Sequence, residues 1–173
     1  MTQRNSNNPR TTATAGSPSR TSATPTAKEN SMTTTTAQIE GLRITLGEME
    51  KINIGTTDTV TSLQQGIACE TFDVVRLNHD IDLFVDDEGA INGSPLNLAL
   101  TIIAHTLGTP AVLFGTAIAL SCDPSTGESR SLSDTQVRRL TAAITTKPSP
   151  QLIDRLCESL APLPDLVELL RSL

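Results

Sequence analysis

Leu42, Ile44 and Leu46 alternate with polar residues, the two-residue period of a half-buried strand, and order is expected from Ile39 onward. Ile52 and Ile54 continue the pattern to Gly55. Thr57 or Asp58 then offers a cap for a short helix through Leu63 to Ile67. Two β-rich runs follow, Phe72–Leu77 and residues 81–85, separated by the turn formers Asn78-His79-Asp80, which predicts a hairpin. On its second strand Ile81, Leu83 and Val85 share one face, read as core. Asp80, Asp82, Phe84 and Asp86 share the other, read as mainly solvated.

Residues 96–107 are apolar enough for a helix capped by Ser94, with Pro95 at its first position and Gly108 just past its end. Residues 111–121 read as a buried strand, and residues 129–132 as a short return strand after the Asp123-Pro124 turn. Ser133-Asp134-Thr135-Gln136 is a capping box with Leu132 and Val137 at staple positions, so a helix is expected over Asp134–Thr145. Beyond Lys147-Pro148, Leu152, Ile153, Leu156 and Leu160 form one apolar stripe and Leu166, Leu169, Leu170 and Leu173 another, broken by Pro162 and Pro164.

These elements predict an α+β fold: a small, mainly antiparallel sheet with two or three helices on one face, over residues 39–146. Residues 1–38, rich in Thr, Ser and Pro, are read as a disordered tail, and residues 147–173 as a C-terminal amphipathic helical segment. The leucines of residues 150–173 are too many to leave in water. They are expected to dock on the chain's own domain or to serve self-association.

Charge divides the chain. Of 13 basic and 19 acidic side chains, the tail holds Arg4, Arg10, Arg20 and Lys28 against Glu29, a net of +3. The remaining 9 and 18 leave residues 39–173 at −9. An acidic domain repels phosphate backbones, and Phe72, Phe84 and Phe114 are the only aromatics, too few for a stacking platform. Direct nucleic-acid binding is therefore not expected. No apolar run approaches the roughly 20 residues that span a bilayer, and none resembles a secretory leader. Three widely spaced cysteines without a Cys-x-x-Cys pair suit a reducing compartment, so the chain is read as cytoplasmic.

Seven acids (Glu70, Asp73, Asp80, Asp82, Asp86, Asp87, Glu88) fall within nineteen residues against Arg76 alone. Asp80-x-Asp82 lacks the further ligands and the glycine of a calcium loop, and His79 and His105 lack a second ligand at metal spacing, so no metal or cofactor is expected. Most such clusters are solvated faces. The functional alternative is a negative surface recognised by a basic or nucleic-acid-binding protein, with Asp80, Asp82, Asp86, Asp87 and Glu88 as candidates. Neutralising Asp82, Asp86 and Asp87 is expected to weaken binding and spare the fold. Cys69 with His79 is the single nucleophile–base pairing worth weighing. Asn97 is either a buried amide pinning the loop after Pro95 or a ligand contact.

The motifs Leu63-Gln64, Phe72-Asp73-Val74-Val75, Asp87-Glu88-Gly89, Pro95-Leu96-Asn97, Gly115-Thr116, Gly127-Glu128 and Leu132-Ser133-Asp134-Thr135-Gln136 together resemble a domain-of-unknown-function family of phages and plasmids, the one numbered 3846. The likeness covers about residues 50–140. It departs where Ala68-Cys69 replaces a usual Gly-Gly, and where residues 98–107 are unusually apolar. The resemblance implies a small α+β accessory protein of phage type and no known activity. The leading expectation is a non-enzymatic interaction protein, an accessory or counter-defence factor acting through its acidic face. The alternative is a small-ligand domain with a pocket near Asn97 and Gly115, and an enzyme comes third.

Overall fold

The computed structural model describes residues 37–172; the tail assigned to residues 1–38 lies almost wholly outside the described residues, as does Leu173. The elements run β1 (Gln38–Ile44), β2 (Met49–Gly55), α1 (Thr59–Ile67), β3 (Phe72–Leu77), β4 (Ile81–Asp86), α2 (Leu98–Thr106), β5 (Ala117–Cys122), β6 (Ser129–Arg130), α3 (Asp134–Thr145), α4 (Pro150–Ser159) and α5 (Pro164–Arg171). This is an α+β fold around an antiparallel sheet of order β2-β1-β5-β4-β3, with β6 paired to β5.

The β3–β4 hairpin has the expected register, Leu77 opposite Ile81 and Phe72 opposite Asp86. His79 and Asp80 at its tip both hold positive φ, 70° and 56°. The capping box closes as read: Ser133 Oγ accepts from the Gln136 amide, and the Gln136 side chain accepts from the Ser133 amide. The same Gln136 side chain donates to the carbonyls of His79 and Asp80 and to Ser121 Oγ, each at 3.0 Å. One local motif thereby starts α3 and fastens it to the hairpin tip.

Two helices cover one face of the sheet. Leu100, Ile103 and Ala104 of α2 and Leu140 and Ala143 of α3 pack with Leu42, Ile44, Leu83, Val85, Ala117 and Ala119. The opposite face of β4, read as solvated, is not. Leu63 and Ile67 of α1 pack there on Phe84, Ile118, Leu120 and Ile54. β4 lies inside the sheet, between β3 and β5, with α2 and α3 on one face and α1 on the other, and Asp82 is only 5% exposed. Gly66 permits the close approach of α1, since a Cβ there would stand 2.5 Å from Ile118 Cδ1.

Local readings shift where tertiary pairing intervenes. Leu46 does not continue the buried stripe of β1; it sits in the β1–β2 turn, 55% exposed. Residues 111–116 do not extend β5. They align with the Pro95 corner instead: Asn97 N donates to the Leu113 carbonyl, Gly115 N to the Pro95 carbonyl, and Leu96 bridges Phe114. Held extended by these bonds, residues 95–96 cannot open a helix, so α2 starts later and its cap is Asn97 rather than Ser94. The C-terminal leucines Leu152, Leu156, Leu160 and Leu170 form a third cluster, against which Leu96, Leu98, Ile102 and Val112 pack. There the nearly buried His105 bonds the Thr101 carbonyl through Nδ1 and Ser159 Oγ through Nε2, both at 2.9 Å.

Candidate functional site

The candidate acids do not share one face. Asp80 stands at the hairpin tip, while Asp86, Asp87 and Glu88 follow the far end of β4, about 20 Å away at the rise of a strand. Asp82 is withdrawn altogether: its carboxylate takes a fork of hydrogen bonds from Arg76, Nε at 2.9 Å and the second nitrogen at 3.1 Å. That pairing follows from register, which sets Arg76 directly opposite Asp82. Asp82 is thus a buried carboxylate held by an arginine that is itself largely exposed, and it does not belong among the surface substitutions expected to spare the fold.

What remains together is the end of the sheet where β4 and β1 finish and β3 and β5 begin. Asp86 accepts from the Glu88 amide at 3.1 Å and from Asn92 Nδ2 at 2.7 Å, which fixes its carboxylate. Asp87 accepts from Thr71 Oγ1 at 2.6 Å, and Glu88 is exposed. Glu70 and Asp73, also exposed, belong to the adjoining start of β3. Cys69 lies close enough that Asp86 and Asp87 add to burial in pushing its thiol above the usual range. It stands at the opposite end of β3 from His79, so the two form no nucleophile–base pair.

Beside Asp86 opens a cleft of about 380 Å³. Its walls are Thr45, Leu46 and Gly47 of the β1–β2 turn, Ile67 and Ala68 at the end of α1, Ser94, Pro95, Gly115 and Thr116. Asn97 takes the structural one of its two expected roles. Fully buried, it accepts from the Leu100 amide at 3.1 Å and donates to the Gly115 carbonyl at 2.7 Å, shaping the wall from behind. Gly115 turns here with φ of 66°. Ala68, Asp86, Pro95 and Gly115-Thr116, scattered along the sequence, thus meet around one opening. The β1–β2 turn was not legible as part of it, because only the pairing of β1 with β5 carries Leu46 there.

A second cleft, about 400 Å³, lies at the hairpin tip between His79, Cys122, Asp123, Arg130 and Arg139. Two of its charges are engaged with each other. Arg130 pairs with Asp123, whose carboxyl is held below its ordinary value first by hydrogen bonds from Ser125 and then by Arg130. The Cys122 thiol is pushed upward by burial and by the neighbouring Asp82. Among the described residues no three His, Cys, Asp or Glu side chains are placed to hold a metal ion, and no helix is long and apolar enough to cross a membrane.

A family model described as a domain of unknown function, DUF3846, matches residues 39–145, and the chain belongs to that family. No curated protein and no solved structure matches it.

Proposed function

We propose that this family member is a non-enzymatic binding module that engages a basic protein through the carboxylate-bearing end of its sheet. One observation carries the reading. Asp86, Asp87 and Glu88 sit in one turn, near Glu70 and Asp73, and among the described residues no Lys or Arg lies within ion-pair distance of any of them. A negative field of this kind steers encounter and selects partners more than it stabilises the fold. Exposed apolar residues in the adjoining loops, Leu46 at 55% and Ile91 at 86%, add the desolvated contact that charge alone lacks. In the setting the family resemblance implies, a phage or plasmid accessory protein in a host cytoplasm, the partner is a basic host protein, including those that bind nucleic acid.

The test is capture of partners from lysate on the full chain, compared with a variant carrying Asp86→Asn, Asp87→Asn and Glu88→Gln. The variant is expected to keep its melting temperature and lose the partner. Capture should weaken as salt rises from about 50 to 300 mM, because exposed charges are screened over this range. Salt-independent capture, equal for both chains, would count decisively against the reading. The cleft beside Gly115 supports the second reading, a small-ligand domain. A tight small-molecule hit by thermal shift, with no protein captured, would place that reading first.

A further inference from the structure

We infer that the cleft beside Asp86 receives a cationic side chain, lysine or arginine, of the bound partner; this rests on the reading of the acidic end as the binding surface. A ligand cleft of a few hundred Å³ with mixed walls and few convergent polar groups suits a small, oriented guest. Here the walls divide by chemistry. Leu46, Ile67 and Pro95 offer apolar surface to an aliphatic stem, while Asp86 supplies one carboxylate and Thr116 a hydroxyl. A lysine or arginine has this same division, an apolar stem ending in a charge.

Asp86 is prepared for that role more than Asp87 or Glu88 are. Two donors, the Glu88 amide and Asn92 Nδ2, hold its carboxylate in one orientation and leave it further acceptor capacity. A group fixed before binding loses little freedom when a guest arrives. The cleft also has neutral or apolar walls apart from Asp86, so no internal cation competes for the carboxylate. Asp87 and Glu88 do not line it, and their contribution is to draw a positive partner toward its mouth.

The probes are capped Gly-Arg-Gly and Gly-Lys-Gly peptides and the neutral citrulline analogue, titrated into the full ¹⁵N-labelled chain with amide shifts as readout. The charged peptides are expected to move the amides of Leu46, Ala68, Gly115 and Thr116, and the citrulline peptide to leave them in place. Asp86→Asn should weaken binding on the order of tenfold, as loss of a charge-assisted pair does, while Asp87→Asn with Glu88→Gln costs about twofold. Two further variants guard against a folding defect. Leu46→Ser alters an exposed wall residue, and Gly47→Phe narrows the mouth at a position where an added Cβ meets nothing within 4 Å. Both should weaken the peptides. Shifts that avoid the cleft amides and respond equally to all three carboxylates would overturn the inference and leave the acidic binding surface standing. So would absence of peptide binding in a chain that still captures a basic protein in a salt-dependent way. Salt-independent capture would remove both.

Discussion

Ala68 holds the left-handed backbone at the end of α1, φ 67°, where its amide closes onto the Gln64 carbonyl. Glycine takes this conformation freely and alanine does not. Ala68→Gly is expected to stabilise the chain by about 0.5–1 kcal/mol in urea denaturation. Gly66→Ala, two residues earlier, should destabilise it despite alanine's better helix propensity, because its Cβ would press on Ile118. Gln136 shows the opposite sensitivity. Its amide serves three acceptors, so Gln136→Glu would remove every donor and set a carboxylate against two carbonyls, a cost of about 2–4 kcal/mol read in the same assay. Acid should act through Asp58 and Asp123, both held below their ordinary values, first by hydrogen bonds from Thr61 and from Ser125 respectively. A carboxyl depressed in the folded state contributes stability above its unfolded value of about 4 and loses it as pH falls through the folded value. The urea midpoint should therefore drop below about pH 4, less steeply in Asp123→Asn.

At the scale of elements, β3 is an edge strand whose exposed Val74 would invite pairing, yet two of its backbone groups are already occupied. The Val74 amide donates to the Asp73 side chain at 2.7 Å, and the Arg76 carbonyl accepts from Thr109 Oγ1 at 2.6 Å. Edges protected this way resist joining other chains. Asp73→Ala combined with Thr109→Val is expected to raise self-association in sedimentation velocity with little change in melting. The devices that could be read in advance are those written within a few residues: the Ser133–Gln136 box, the Asp58 cap, the Asn78-His79-Asp80 turn. The insertion of β5 beside β4 is not written in any one segment, and from it follow the burial of Asp82 and Phe84 and the seat of α1. The same holds at the cleft. Asp86 and Gly115 stood out by residue type, whereas Leu46 looked like one more core position of β1.

Across the whole molecule, the unusually apolar stretch of residues 98–107 finds its explanation in helices that lie beyond the family match. One side of α2 meets the sheet through Leu100, Ile103 and Ala104, and Leu98 and Ile102 meet the cluster formed by α4 and α5. A helix covered on two sides is apolar nearly all round. Neither α4 nor α5 is long enough to persist alone in water, so their order depends on this contact as much as α2's solubility does. Removing residues after Lys147 is expected to lower the melting temperature and leave a chain that aggregates through the uncovered Leu98 and Ile102. Adding Leu98→Gln and Ile102→Glu to the truncated chain should restore a monomer by sedimentation, while the same pair in the full chain should destabilise it. Leu156→Ala, fully buried, should cost about 2–5 kcal/mol, against little for Leu169→Ser, which is 56% exposed. A truncated chain that instead falls from dimer to a stable, soluble monomer would show that α4 and α5 serve self-association, and the docking account of α2 would fail with it.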